Sequence, residues 1–420
     1  MRSPNNSSIQ VKARWGVCAL LFAATTINYI DRQILSLLKP LLDDQLHWSN
    51  AEFGLVNSAF QGAYAVSLLF FGWFVDRFGT KLGYSVSIAA WSLAAMAHSL
   101  VSSLGGFFSA RVLLGLGEGG NFPAAIKTVA EWFPQKERAL ATGIFNSGAN
   151  VGAIIAPAIV PWMALSFGWQ SPFLAAGLAG FVWLCFWIPR RGINTTLKPL
   201  RIESTRIPWS GLFRYRQTWA FIIPKLLTDP VWFFYLIWLP DFFKQSRGLD
   251  IKHSWKLLVT IYSIVTVLGI AGGWLSGFLT RRGLSINMAR KAGMLLFALC
   301  VVPVLAITGV GDWPAVLLIG LAGGAHQAWS ATLFTTVSDT FPESSIASVI
   351  GIGNMAGAVG GMIFPIVTGM LIDQYKLLGS VSIGYGILFA YCACAYLAAL
   401  LFLQVLNPRL KPVTVECADL

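Results

Sequence analysis

A chain of 420 residues that is 56% hydrophobic and only 11% charged lies outside the range of soluble globular domains. Its mean hydropathy of +0.66 is that of a polytopic membrane protein. The net charge of +12 does not indicate a nucleic-acid partner, because the basic residues gather in alternate loops rather than in one stripe.

About twenty apolar residues are needed per membrane span, and on that measure the chain is predicted to hold twelve. The first six run near Gly16–Leu38, Phe53–Val75, Leu82–Leu100, Phe107–Glu131, Ala139–Leu165 and Trp169–Ile188. The second six run near Thr218–Leu239, Trp255–Leu279, Ala289–Thr308, Pro314–Val337, Ile346–Ile372 and Val381–Gln404. Between the sets, residues 189–217 are polar, basic and broken by Pro189, Pro199 and Pro208, which predicts a cytoplasmic linker. The expected organisation is a six-helix bundle over 1–188, the linker, and a second six-helix bundle over 218–420 with a short cytoplasmic tail.

An even number of spans puts both ends on one side. The loops on that side carry Arg2, Lys12, Arg14, Arg77, Lys81, Lys136, Arg138 and the basic linker, and later Arg281, Arg282, Arg290, Lys291, Arg409 and Lys411. Opposite loops carry only Lys39, Lys244, Arg247, Lys252, Lys256 and Lys376. This bias predicts cytoplasmic termini and a multi-pass protein of the plasma (inner) membrane. The acidic Asp339–Glu343 loop is a local exception. The first apolar run is too long for a signal-peptide core and lacks a small-residue cleavage site, so it is read as a permanent helix. The six cysteines (Cys18, Cys185, Cys300, Cys392, Cys394 and Cys417) show neither metal nor disulfide spacing.

The two halves repeat one plan. An offset of 208 residues aligns Phe133-Pro134 with Phe341-Pro342, Gly115 with Gly323, Thr128-Val129 with Thr336-Val337, Gly143-Ile144 with Gly351-Ile352, Asn146 with Asn354, and Pro157 with Pro365. The predicted fold is therefore all-α and membrane-integral, twelve helices in two bundles related by a pseudo-two-fold axis along the membrane normal, the plan of alternating-access transporters. Gly143, Gly148 and Gly152, and later Gly353, Gly357, Gly360 and Gly361, are read as close helix contacts.

Charges inside the spans carry the functional reading. Asp31 and Arg32 lie in the middle of the first span, where each costs roughly 2.5–3.5 kcal/mol unless it faces a cavity or a partner. Asn28, Asp31 and Arg32 stand at i, i+3 and i+4, hence on one face. The pair is either a structural salt bridge or the lining of a substrate pathway. A guanidinium offers a planar fork to a carboxylate and keeps its proton, which suits an anion anchor. Burial favours the neutral form of a carboxyl group and a nearby cation its charged form, so an anion arriving at Arg32 links substrate and proton occupancy.

Glu118 lies among glycines, with Arg111 two turns before it as a potential neutralising partner. Lys225 and Asp229, at i and i+4 in the seventh span, are either an intrahelical ion pair or a second functional pair. His326 occupies the repeat position of Glu118 and is either a titrating group or a histidine bonded to a neighbouring helix. Asn146 is a further secondary candidate. Lys127 is assigned to snorkelling or a gate contact, and most tryptophans to packing.

Two stretches resemble a known family. Gly72-Trp73-Phe74-Val75-Asp76-Arg77-Phe78-Gly79-Thr80-Lys81 resembles the cytoplasmic signature of the major facilitator superfamily, with a degenerate copy at Thr280-Arg281-Arg282-Gly283. Leu114-Gly115-Leu116-Gly117-Glu118-Gly119-Gly120-Asn121-Phe122-Pro123 follows, with Glu131-Trp132-Phe133-Pro134 and Phe145-Asn146-Ser147-Gly148. Together with Asn28-Tyr29-Ile30-Asp31-Arg32, these look like the anion:cation symporter branch, closest to its bacterial hexuronate and galactonate members.

That resemblance implies proton-coupled import of a small organic anion such as a sugar acid. It assigns substrate binding to Arg32, Tyr29, Tyr64 and Asn354, and proton coupling to Asp31 and Glu118. It assigns a cytoplasmic gate to Asp76, Arg77 and Lys81, with Arg138 beside them. The family's glutamine in the fifth span is absent, with Ala149 and Asn150 nearby. The implied partners are the anion, the proton and the bilayer. The expectation is a monomer with no cofactor and no metal, driven by a proton gradient. A uniporter or exchanger of the same fold is the alternative. An integral-membrane enzyme would need a clustered constellation, whereas His47, His98, His253 and His326 are dispersed and no HExxH, GxSxG or phosphate loop is present.

Overall fold

The computed structural model describes residues 4–190, 209–249, 251–411 and 413. These residues form α-helices and two short 3₁₀ segments, without a strand among them. The helices are α1 (Pro4–Leu46), α2 (Asn50–Phe78), α3 (Thr80–Ala97), α4 (Leu104–Glu118), α5 (Asn121–Trp132), α6 (Gln135–Phe167) and α7 (Ser171–Trp187), then α8 (Trp209–Leu212) and α9 (Arg216–Arg247). They continue as α10 (Ile251–Arg281), α11 (Ile286–Val301), α12 (Asp312–Thr340), α13 (Glu343–Leu377) and α14 (Val381–Leu406). With α4 and α5 taken as one interrupted span and the single turn α8 set aside, these are twelve spans. Seven described helices are individually long and apolar enough to cross a membrane. The linker residues 191–208 lie outside the described residues.

One expected span is broken. The fourth, predicted as a continuous helix, ends at Glu118 and restarts at Asn121. Gly119 and Gly120 lie at the break, where glycine's backbone entropy weakens a helix, and Pro123 follows within the next turn. The repeat supplies the control: the positions of Gly119 and Gly120 are taken by Gln327 and Ala328, and α12 runs through them unbroken.

Elsewhere the two halves agree in detail. Phe133 and Phe341 each cap a helix C-terminus, and Pro134 (φ −64°, ψ 153°) and Pro342 (φ −63°, ψ 150°) each start the next helix. Gly79 (φ 88°) and Gly283 (φ 93°) close the equivalent turns with a positive φ that a side chain disfavours.

The chain divides into two compact units. One contains α1 to α7 with residues 251–259 at the start of α10, and the other contains α9, the rest of α10 and α11 to α14. In the first unit α1 packs along α6, α2 along α4, and α3 along both α4 and α7. Small residues permit this. A Cβ on Gly148 would stand 2.5 Å from the Phe22 carbonyl oxygen, and one on Gly152 would stand 2.7 Å from that of Thr26. Gly72 and Gly143, by contrast, face open space among the described residues rather than a neighbouring helix. The core of this unit contains Tyr84, Trp91, Phe145, Trp183 and Trp187. Trp183 also donates through Nε1 to the Leu20 carbonyl at 2.7 Å, so its polar atom is satisfied inside the core.

In the second unit α9 packs on α13 and α14, and α11 on α12. Gly353, Gly360 and Gly361 of α13 press on Phe221, Pro230 and Phe233 of α9, and Gly320, Gly323 and Gly324 of α12 press on Ile264, Val265 and Leu268 of α10. Large apolar side chains such as Leu93, Leu178 and Phe186 in the first unit, and Leu299, Leu401 and Val405 in the second, turn outwards. So much exposed apolar surface is suited to lipid, and helices satisfy their own backbone there.

Candidate functional site

The first unit gathers its intramembrane charges at one place. α1 supplies Asn28, Tyr29, Asp31 and Arg32, α2 supplies Phe60 and Tyr64, and α4 supplies Arg111 and Glu118. The glycines of α4 bring it close enough to do so. A Cβ on Gly115 would stand 2.5 Å from the Phe60 carbonyl oxygen, one on Gly117 would stand 2.5 Å from the Trp91 nitrogen, and one on Gly119 or Gly120 would collide with Ser67 or Ser87. Stripping side chains from both sides of Glu118 lets this stretch press on α2 and α3, and the Glu118 carboxylate then meets Arg32 of α1.

Arg32 donates through Nε to Glu118 Oε2 at 2.7 Å. The Glu118 side chain is wholly buried and that of Arg32 retains 17% exposure, so the guanidinium is the reachable member of the pair. Its carbon lies 4.4 Å from the Tyr64 ring centre and 5.3 Å from those of Tyr29 and Phe60. Phe60 and Tyr64 stack at 6.0 Å, and Phe60 also lies 5.6 Å from the Arg111 guanidinium. Aromatic faces attract desolvated cations, and here they hold two guanidinium groups without offering a competing carboxylate.

The remaining polar atoms are conspicuously unsatisfied. Both oxygens of Asp31, Oε1 of Glu118, Nδ2 of Asn28, and Nε and Nη2 of Arg111 are buried without a hydrogen-bond partner among the described residues. Asp31 is within electrostatic reach of Glu118, Arg111 and Arg32, and Asn28 lies close to Glu118 without a hydrogen bond of ordinary geometry. Buried groups normally find hydrogen-bond partners, and an unmade bond costs about 1–3 kcal/mol, more where a charge is involved.

This geometry revises the expectation for Arg32. Adjacent residues on a helix project about 100° apart, and the carboxylate that meets Arg32 comes from Glu118 on another helix, not from Asp31 beside it in the chain. Arg111 is fully buried but is not the group bonded to Glu118. Asn146, on α6, is half-buried. Phe60 escaped the sequence reading, although its place one helical turn before Tyr64 is a signal that could have found it.

At the gate motif, Arg77 and Lys81 are exposed, and the side chains of Asp76 and Arg138 lie outside the described residues. Lys127 donates from Nζ to the Val75 carbonyl at 2.9 Å, which ties α5 to the end of α2.

The second unit has its own polar cluster. Lys225 and Asp229 form an intrahelical ion pair at 2.6 Å, and Lys225 lies 4.8 Å from the Phe334 ring. His326 is bonded through Nδ1 to the Tyr396 hydroxyl at 2.7 Å and stacks on Trp232 at 5.5 Å with the rings 3° from parallel. Asn354, on α13, is exposed.

Twelve spans in repeated halves, with a charged constellation buried inside one of them, define a multi-pass membrane transporter. The model of the Major Facilitator Superfamily matches residues 21–365, and the chain belongs to that family. It is 30% identical over 400 residues to the hexuronate transporter of Escherichia coli (strain K12), covering 90% of each chain. It is 29% identical over 309 residues to the galacturonate transporter of Dickeya chrysanthemi, covering 69% of this chain and 89% of that one. Among solved structures, the D-xylose-proton symporter superposes with a TM-score of 0.77 at 13% identity, covering 94% of this chain and 98% of that one, which is a likeness of fold.

Proposed function

We propose that this protein imports a sugar acid, a hexuronate or aldonate, together with protons by alternating access across the plasma membrane, with both termini in the cytoplasm. The observation that carries the reading is the Arg32–Glu118 pair. A reachable guanidinium is held by a carboxylate whose second oxygen, Oε1, accepts no hydrogen bond among the described residues. A proton on Glu118 weakens that pair and frees Arg32 for the carboxylate of the substrate. Substrate and proton therefore favour one another's binding, which is the linkage a symporter requires. Asp31, buried beside the pair without a hydrogen bond, is the second proton carrier. Tyr29 and Tyr64 flank Arg32 and orient the incoming acid. The names of the hexuronate and galacturonate transporters support the choice of substrate class.

The test is uptake of labelled D-galacturonate by proteoliposomes that contain a pH-sensitive dye. An inward proton gradient should drive accumulation above the external concentration, and uptake should acidify the interior. Uptake without acidification would replace symport by uniport or exchange.

A further inference from the structure

The internal repeat relates not only helices but contacts. His326 stands at the repeat position of Glu118. On the first helix of each unit the alignment is set by packing: Gly152 abuts the Thr26 carbonyl and Tyr29, and its repeat partner Gly360 abuts the Leu226 carbonyl and Pro230. Position 226 thus matches 26, and Trp232 matches Arg32. The contact between Arg32 and Glu118 in the first unit is therefore answered by the contact between Trp232 and His326 in the second. An ion pair on one side has become an aromatic stack on the other, at the same place in the plan.

Around that stack the second unit provides a different recognition chemistry. Asp229, one turn before Trp232, retains 16% exposure, whereas Lys225, which neutralises it, retains 6%. The carboxylate is thus the more reachable member. Gly357 leaves the space that the carboxylate occupies, since a Cβ there would collide with Asp229 Oδ2. Asn354, one turn earlier on α13, is exposed near that face. Trp232 is half-buried, with one face covered by His326, which Tyr396 in turn holds. A carboxylate that accepts from hydroxyls, an amide that accepts and donates, and an indole face for C–H groups together suit a polyhydroxylated chain or ring.

We propose that Asp229 and Trp232 form a hydroxyl-recognition subsite in the second unit that selects sugar acids over plain carboxylates. Lys225 pairs with the Asp229 carboxylate at 2.6 Å and holds it in place, and His326 is a positioning residue that fixes the indole plane. The inference rests on the sugar-acid reading above.

The experiment measures binding of D-galacturonate and of cyclohexanecarboxylate, which matches its ring size and charge but has no hydroxyls, to the purified full chain by calorimetry. Wild type should prefer D-galacturonate at least tenfold. Asp229→Asn leaves Lys225 unpaired and risks misfolding, so the decisive variant is Lys225→Met/Asp229→Asn, which removes both charges together. It should melt near wild type and bind cyclohexanecarboxylate as before, while its preference for D-galacturonate falls to about threefold or less. Gly357→Ala, which displaces the carboxylate without altering a charge, should lose the preference in the same way. A preserved preference in the double variant overturns the subsite, as does an equal loss for both ligands, which would make the pair structural. If wild type binds neither ligand, the sugar-acid reading fails and the inference falls with it.

Discussion

Arg32 makes its ion pair through Nε alone, which leaves the edge bearing its two terminal nitrogens without a carboxylate and suits that edge to a bidentate substrate. Replacement by lysine keeps the charge and loses the fork. Arg32→Lys should weaken D-galacturonate binding by tenfold or more in calorimetry, consistent with the ~1.5–3 kcal/mol of a charged hydrogen bond. Glu118→Gln separates binding from coupling. The amide still fills the gap among the α4 glycines but carries no titratable proton, so binding should persist while proton-driven accumulation is lost, and retained uphill uptake would remove Glu118 from the coupling step. The identities of the charged residues were legible because a charge in an apolar run stands out. Their pairing was not, since neighbours in sequence diverge around a helix and the partner of Arg32 arrives from 86 positions away. Phe60 was missed for the opposite reason: an apolar residue in an apolar span carries no signal until the cations it touches are located.

At the scale of the element, α4 explains how that pairing is achieved. Its glycines lie against α2 on one side and α3 on the other, so Glu118 is delivered by backbone proximity rather than by a long side chain. Any Cβ at Gly117 would stand 2.5 Å from the Trp91 nitrogen, a backbone atom that has no rotamer by which to escape. Gly117→Ala should therefore destabilise the protein by about 1–3 kcal/mol through overpacking, despite alanine's better helix propensity, and thermal unfolding of the purified protein should show a lowered midpoint. An unchanged midpoint would mean that α4 can shift, and Glu118 with it. Twelve spans and their repeat were readable from hydropathy and from shared Phe-Pro, Asn and Gly positions. The break after Glu118 was not, because a glycine run reads equally as tight packing or as a helix end. Gly143 shows the converse error, since it presses on no neighbour among the described residues.

For the whole molecule, the distribution of charge makes a claim that packing does not. Twelve spans place both termini on one side whatever the orientation, and only the basic residues in the loops choose which side. The acidic exception near Asp339 does not oppose that choice. Asp339 accepts from Arg290 at 3.0 Å, and acidic residues weigh little in the rule. Lys291, on the same helix as Arg290, donates to the carbonyls of Asn407 and Pro408 at 2.7 Å each, so the segment after α14 is fastened to the basic start of α11. Its side of the membrane is then the side of the basic loops. A fluorescent-protein fusion at the C-terminus should therefore fluoresce in bacterial cells, and alkaline phosphatase fused there should be inactive. The same phosphatase inserted at Gly379, in the turn between α13 and α14, should be active, since the proposed orientation puts that turn on the periplasmic side. The reverse pattern at both positions would mean that the basic loops do not set the orientation, and the direction of proton-driven import would have to be reversed with it.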